Sequence, residues 1–380
     1  MLVLNEAPLP YAGAAARWYY ILCKELINRN IILDLFVSCS TEEQKRNVLE
    51  LFPRANVYLY EKRVRFIDRL SSILKPFSYT ISKEMRLAIS EKFYDNYDII
   101  HVEQSFATWA LPEVDRRCML SVHYLSNIDL KDVKMNSLKD YFIVPLMKRT
   151  EKKMIGKYQN IKSCSLNIEK TIQDWFPDKN YIHFPFAIDV TEYKYLEKKD
   201  RLPSGYITLI ASMGWYPGRS AAENLITKIW PSLKKLNPQM KLRIVGWSAR
   251  SVLKKYLQLP DIEILENVPE IKKYFYETSL LVYTPDAGSG IKIKIQESML
   301  LGTPVVTNFS GVEGLMLEDQ NEVLVAHNDD HAVQLIHRLY NDIELQEKIR
   351  FNARLNIEKT CNSHLIMNQL LNFYQQIKNQ

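Results

Sequence analysis

The feature that most constrains this chain is an alternation, run through twice, of strand-length apolar runs with stretches of helical periodicity. The first series opens at residues 1–4, crosses a turn-rich segment at 5–13 and continues as a helical pattern over 14–29. Apolar runs at 31–37, 97–102 and 119–122 supply further buried-strand candidates. The second series starts at Tyr206 with ITLIAS, passes a helical pattern at 221–236, and adds strand candidates at 242–246, 262–265, 280–284 and 304–307. Parallel strands need crossover connections, and helices between strands provide them, so each series predicts a doubly wound α/β domain with a parallel sheet covered on both faces.

The stretch 184–201, with a proline near its start, rich in charge and without a sustained period, reads as the linker between the two series. The predicted division is therefore 1–185, then 186–361, with 362–380 as a C-terminal helix packing back toward the N-terminal domain. A length of 380 residues with 47% hydrophobic content gives each domain a sizeable core, and interspersed charge at 25% leaves no long disordered tract. The net charge of +6 is a modest excess with no RNA or DNA motif beside it, which argues against a nucleic-acid partner. Five scattered cysteines without a C-x-x-C pair fit reduced thiols in a cytoplasmic protein. The opening MLVLNEAPLPY falls short of a signal-peptide core, and no apolar run approaches the roughly 20 residues of a spanning helix.

Glycine is uneven along the chain. Only Gly13 and Gly156 precede Gly205, whereas Gly288, Gly290, Gly302, Gly311 and Gly314 crowd one part of the second series. The segment 280–315 parses as strand, glycine-rich loop, helix, a stop at Gly302, strand and a second glycine-rich loop. A loop at 286–290 that delivers a helix N-terminus offers free amides to an anion, and a diphosphate is a natural occupant. Lys294 and Glu297 are three apart and share a helix face, while Ile291, Ile295 and Met299 form a predicted buried stripe. Glu297 can accept from two ribose hydroxyls, or it can form an ordinary helical ion pair with Lys294; spacing alone leaves both open.

The stretch GSGIKIKIQESMLLGTPVVTNFSGVEGL at 288–315 resembles the donor-binding signature of glycosyltransferase family four, in its G-x-G-I-K-x-K-x-x-E branch. The resemblance implies a GT-B fold, with two Rossmann-like domains facing across a cleft, and sugar transfer from a nucleotide diphosphate sugar to an acceptor hydroxyl. In that family the position of Glu297 binds the donor ribose, and Gly288, Ser289, Gly290 and Ile291 present backbone amides. Many members carry a glutamate where this chain has Ser289, so a carboxylate contact to the transferred hexose is missing here. Lys292 or Lys294 and Arg219, in ASMGWYPGRSAAENL, correspond to groups that stabilise the departing diphosphate. Val268, in ENVPEI, matches a backbone contact to the nucleobase. In PYAGAAAR, Gly13 lies against the donor diphosphate or the acceptor and Arg17 opens the following helix on the acceptor side. YDIIHVEQ resembles the strand ending above the acceptor, which puts Glu103 in reach of an acceptor hydroxyl, and His123 in LSVHYLSN falls near the transferred sugar.

The implied chemistry is retaining and uses no metal ion or cofactor beyond the nucleotide sugar as co-substrate; no D-x-D motif occurs. The expected partners are the nucleotide sugar and a glycan or lipid-linked acceptor, and the Lys-, Ile- and Asn-rich composition is compatible with bacterial surface glycan synthesis. The basic and apolar stretch 61–86 leaves open a peripheral contact with an anionic membrane at its inner face, against a helix packed on its own domain. A non-catalytic nucleotide-sugar binding module on the same scaffold is the alternative, with Ser289 its supporting hint.

Overall fold

The computed structural model describes residues 1–62, 75–131, 138–197 and 205–380. The amphipathic reading of 61–86 depends on 63–74, which lie outside the described residues. Among the described residues, no helix is long and apolar enough to cross a membrane. The chain divides into two compact units, Met1–Ile188 with Ser363–Gln380, and Asp189–Asn362.

The first unit is built on a seven-stranded parallel sheet. Its strands are β1 (Leu2–Leu4), β2 (Asp34–Cys39), β3 (Asn56–Glu61), β4 (Ile100–Glu103), β5 (Cys118–Val122), β6 (Asn160–Ser163) and β7 (Asn180–His183), in the order 3-2-1-4-5-6-7. Strands β1, β2, β4, β5 and β6 are buried along their whole length, as expected of a sheet covered on both faces. Helix α1 (Ala14–Asn28) buries Trp18, Tyr19, Leu22, Cys23 and Leu26, a spacing that turns one side to the sheet. Helix α2 (Leu138–Ile155) carries Pro145 and follows the loop after β5. The C-terminal helix Ser363–Lys378 packs on α1 and buries Ile366, Met367, Leu370 and Phe373, and Lys378 pairs with Asp98 at 2.8 Å.

The second unit repeats the plan with six parallel strands. They are β8 (Tyr206–Ile210), β9 (Lys241–Gly246), β10 (Ile262–Glu266), β11 (Leu280–Tyr283), β12 (Val305–Asn308) and β13 (Leu324–Ala326), with β8 between β9 and β11. The helix after β8 begins earlier than its apolar period predicts. It starts as α3 (Tyr216–Asn224), where Pro217 occupies the first turn, and runs through a π-helical segment, Leu225–Ile229, into Trp230–Leu236. Helix α4 (Ile293–Leu301) ends at Gly302, whose φ of +78° is the left-handed stop the sequence predicts. Helix α5 (Ile343–Thr360) packs on α4 and sends the fully buried Arg350 to the Gly302 carbonyl at 2.6 Å, with Glu347 completing the pair at 2.7 Å.

In each unit the strand order reverses beside the first strand, between β1 and β4 and again between β8 and β11. The loops leaving the carboxyl ends of those strands are where an open α/β sheet holds a ligand. Gly13 and Glu103 fall there in the first unit, and the 284–292 loop in the second.

Candidate functional site

In the second unit the loop between β11 and α4 is shaped by its glycines. Gly288 has a φ of +155°, and a Cβ there would lie 3.0 Å from both Cε and Nζ of Lys292. The Lys292 ammonium folds back onto the loop, donating to the Gly288 carbonyl at 3.1 Å and to the Gly290 carbonyl. Of the two lysines the sequence offers for phosphate charge, Lys292 is thus engaged with loop carbonyls. Ser289 is fully buried and Ile291 nearly so.

Helix α4 departs from the predicted single stripe. Ile293, Ile295, Gln296, Glu297, Ser298 and Met299 are all buried, and Ile291 precedes the helix. Lys294 and Glu297 meet as spacing predicts, with Lys294 Nζ 2.8 Å from Glu297 Oε2. The other carboxylate oxygen accepts from the Tyr193 hydroxyl at 3.2 Å. Glu297 is only 1% exposed, so its oxygens are held in fixed directions.

The loop after β8 abuts this one. Pro217 is 3.8 Å from a Cβ placed on Gly288, Asp286 N donates to Ser220 Oγ at 3.3 Å, and the Tyr216 hydroxyl reaches Asp286 Oδ2 at 3.4 Å. Gly218 is required here, since a Cβ would stand 2.1 Å from the Ser212 carbonyl oxygen. Arg219 is exposed on the first turn of α3, its guanidinium over the Tyr216 ring at 6.0 Å. Asn308 ties in the second glycine-rich turn, accepting from Gly311 N at 3.0 Å and donating to the Pro285 carbonyl at 2.8 Å. Val268 lies after β10, two strands from β8 across β9, and stands apart from these contacts.

In the first unit the sequence-predicted residues converge on a buried carboxylate. Glu103, at the end of β4, is 0% exposed. Its Oε2 accepts from Trp18 Nε1 at 3.1 Å and faces His123 Nε2 at 2.5 Å; its Oε1 accepts from Ser121 Oγ at 3.2 Å and lies 3.0 Å from His101 Nε2. Burial alone would raise this carboxyl, but His101 and His123 outweigh it and hold it well below the usual carboxylate range. Expected just after its strand and within reach of an acceptor hydroxyl, Glu103 instead closes β4 as a buried carboxylate met by four donors. Burial lowers the His123 imidazole, Glu103 opposes, and Lys162 and His101 add to the lowering. Gly13 is the uncapped N-cap of α1, with open space around the position of a Cβ, and Arg17 follows one turn on, its amide bonded to the Gly13 carbonyl at 3.1 Å.

Residues 205–342 match the family model for glycosyl transferases group 1. This region is a glycosyl transferases group 1 domain. No curated protein sequence matches the chain. Among solved structures, sucrose-phosphate synthase from Thermosynechococcus elongatus is 15% identical with a TM-score of 0.75, over 99% of this chain and 98% of that one. A TarM mutant from S. aureus is 12% identical with a TM-score of 0.71, over 98% and 99%. Another TarM structure matches 76% of this chain, which spans 57% of it. Anabaena HepE is 15% identical with a TM-score of 0.67, over 99% of each. The fold is that of the GT-B glycosyltransferases.

The group 1 domain contains Arg219, Val268, Gly288, Ser289, Gly290, Ile291, Lys292, Lys294 and Glu297; Gly13, Arg17, Glu103 and His123 belong to the first unit. Several functional neighbours escape sequence reasoning. Tyr193, in the stretch read as linker, is the hydroxyl on Glu297. Trp18, His101 and Ser121 are the partners of Glu103, and of these only His101 carried a signal, being a polar residue inside an apolar strand run.

Proposed function

We propose that this protein transfers a sugar from a nucleotide diphosphate sugar to an acceptor hydroxyl, with retention and without a metal ion. The observation that carries the reading is the pairing, inside the matched domain, of the Gly288–Gly290 loop with a buried, directionally fixed Glu297. Amides at the head of α4, with Lys294 and Arg219, supply positive potential for a departing diphosphate. Glu297 accepts from Tyr193 and Lys294, and a carboxylate is the acceptor that two adjacent ribose hydroxyls require. Supporting the donor class, the TarM mutant was crystallised with UDP, fondaparinux and alpha-GlcNAc-glycerol, and HepE with UDP and glucose. A glycan or lipid-linked acceptor in surface glycan synthesis, met at the inner face of a membrane, completes the proposal.

The test is nucleotide release from a panel of nucleotide sugars, with and without candidate acceptor glycans. One donor is expected to yield free nucleoside diphosphate together with a glycosylated product. Donor binding with no release under any acceptor would assign the protein to non-catalytic binding instead.

A further inference from the structure

Of the six tryptophans in the chain, four have a ring face taken within the protein. Trp18 stacks on Phe186 with centroids 5.4 Å apart, and the ammonium groups of Lys75, Lys152 and Lys234 lie over Trp109, Trp175 and Trp230. Trp247 has neither a ring nor a cation on it among the described residues, and it is 61% exposed. It is nonetheless fixed. It directly follows β9, at the carboxyl edge of the second sheet and one strand from β8, and its carbonyl accepts from Met213 N at 2.9 Å. Its benzo ring is seated on Gly214, where a Cβ would run into Cζ3 and lie 2.7 Å from Cε3 and 3.2 Å from Cη2. The Gly214 backbone is not left-handed, so the ring, and not the chain conformation, requires glycine there.

We infer that Trp247 is a stacking platform for the nucleobase of the nucleotide sugar. Gly214 belongs to the loop after β8, which meets the 284–292 loop through Ser220 and Tyr216 on Asp286 and through Pro217 beside Gly288. The indole and the proposed diphosphate loop therefore share one continuous rim of the second unit. Of the parts of a nucleotide sugar, the diphosphate calls for amides and cations and the ribose for the Glu297 carboxylate. The base is the one planar π-system, and it calls for a flat apolar face. Trp247 supplies that face already held in place, so little side-chain freedom is lost when a base stacks on it. Stacking is blind to the hydrogen-bonding edge of a base, so Trp247 sets how tightly a nucleotide is held more than which base is chosen. The ligand rests on the glycosyl-transfer reading; the seating of the ring on Gly214 does not.

The test is titration of the full chain with the uridine, thymidine, cytidine, adenosine and guanosine diphosphates and with inorganic diphosphate, in the wild type, Trp247→Ala, Trp247→Phe and Gly214→Ala. The nucleotide that binds the wild type most tightly should lose roughly 5- to 150-fold in affinity in Trp247→Ala, the range of one base–aromatic stack, with inorganic diphosphate unaffected. Trp247→Phe keeps an aromatic face and should recover most of that loss. Gly214→Ala unseats the ring without removing it, and should weaken the same nucleotide while sparing inorganic diphosphate. Unchanged nucleotide affinity in a folded Trp247→Ala overturns the inference and leaves the transferase reading standing. Equal losses for the nucleotide and for inorganic diphosphate also overturn it, because the ring then shapes the phosphate loop and does not meet the base. Binding of no nucleoside diphosphate by the wild type overturns the inference and the transferase reading together.

Discussion

Glu151 makes a prediction whose size follows from its surroundings. It lies in α2, fully enclosed, with Oε2 accepting from Ser126 N at 2.7 Å and Oε1 unpaired among the described residues. Burial, aided by Asp129, pushes its carboxyl from the ordinary 4.5 up to about 8, against the opposing bonds from Ser126. The folded value lies above the unfolded one. The contribution to stability is therefore fully present below about pH 4.5, is lost as pH rises toward about 8, and is flat beyond. At ~1.4 kcal/mol per unit, the loss reaches about 3 kcal/mol at neutral pH and levels off near 5 kcal/mol. Glu151→Gln keeps an acceptor for Ser126 N and removes the ionisation. Thermal melts of both proteins should show the variant gaining on the wild type by roughly 5–10 °C between about pH 5 and 8, then no more. A constant offset at every pH, or a wild type that gains on the variant as pH rises, would refute the assignment of that carboxyl as neutral in the fold.

Two further substitutions probe packing beside the candidate sites. Gly302→Ala should destabilise the second unit by about 2 kcal/mol or more in urea, because φ is +78° and the new Cβ would lie 2.8 Å from Arg350 Nη2 and from the Tyr195 ring. Trp18→Phe removes the Nε1 donor from Glu103 while leaving a ring to stack on Phe186, now 5.4 Å away; a loss of about 1–3 kcal/mol in urea unfolding is expected, and a neutral result would contradict that bond.

The doubly wound plan was legible because most strands are buried on both faces and read as continuous apolar runs, such as YITLI in β8 and LLVY in β11. Strands β6 and β7 were not, reading NIKS and NYIH. Their polar residues are accommodated by tertiary partners no local pattern reveals. Asn160 donates to the Cys118 carbonyl at 3.3 Å, and Lys162 is roofed by aromatic rings from α1 and from the segment after β7. The same segment explains why 184–201 read as linker: Phe184 and Phe186, on either side of Pro185, bury themselves in the first unit from a stretch that has no period. At the sites, i to i+3 spacing sufficed for Lys294 with Glu297. The burial and partners of Glu103 were not legible because its four donors come from α1, β4, β5 and the residue after β5, a convergence set by the sheet order.

Calorimetric titration of nucleoside diphosphates into the wild type and Glu297→Gln tests the central claim most directly. The account predicts that one diphosphate binds the wild type, that its monophosphate binds at least about tenfold more weakly, and that the folded Glu297→Gln protein loses the diphosphate affinity by a similar factor. Binding of no nucleoside diphosphate by the wild type, or equal binding by both proteins, would contradict it.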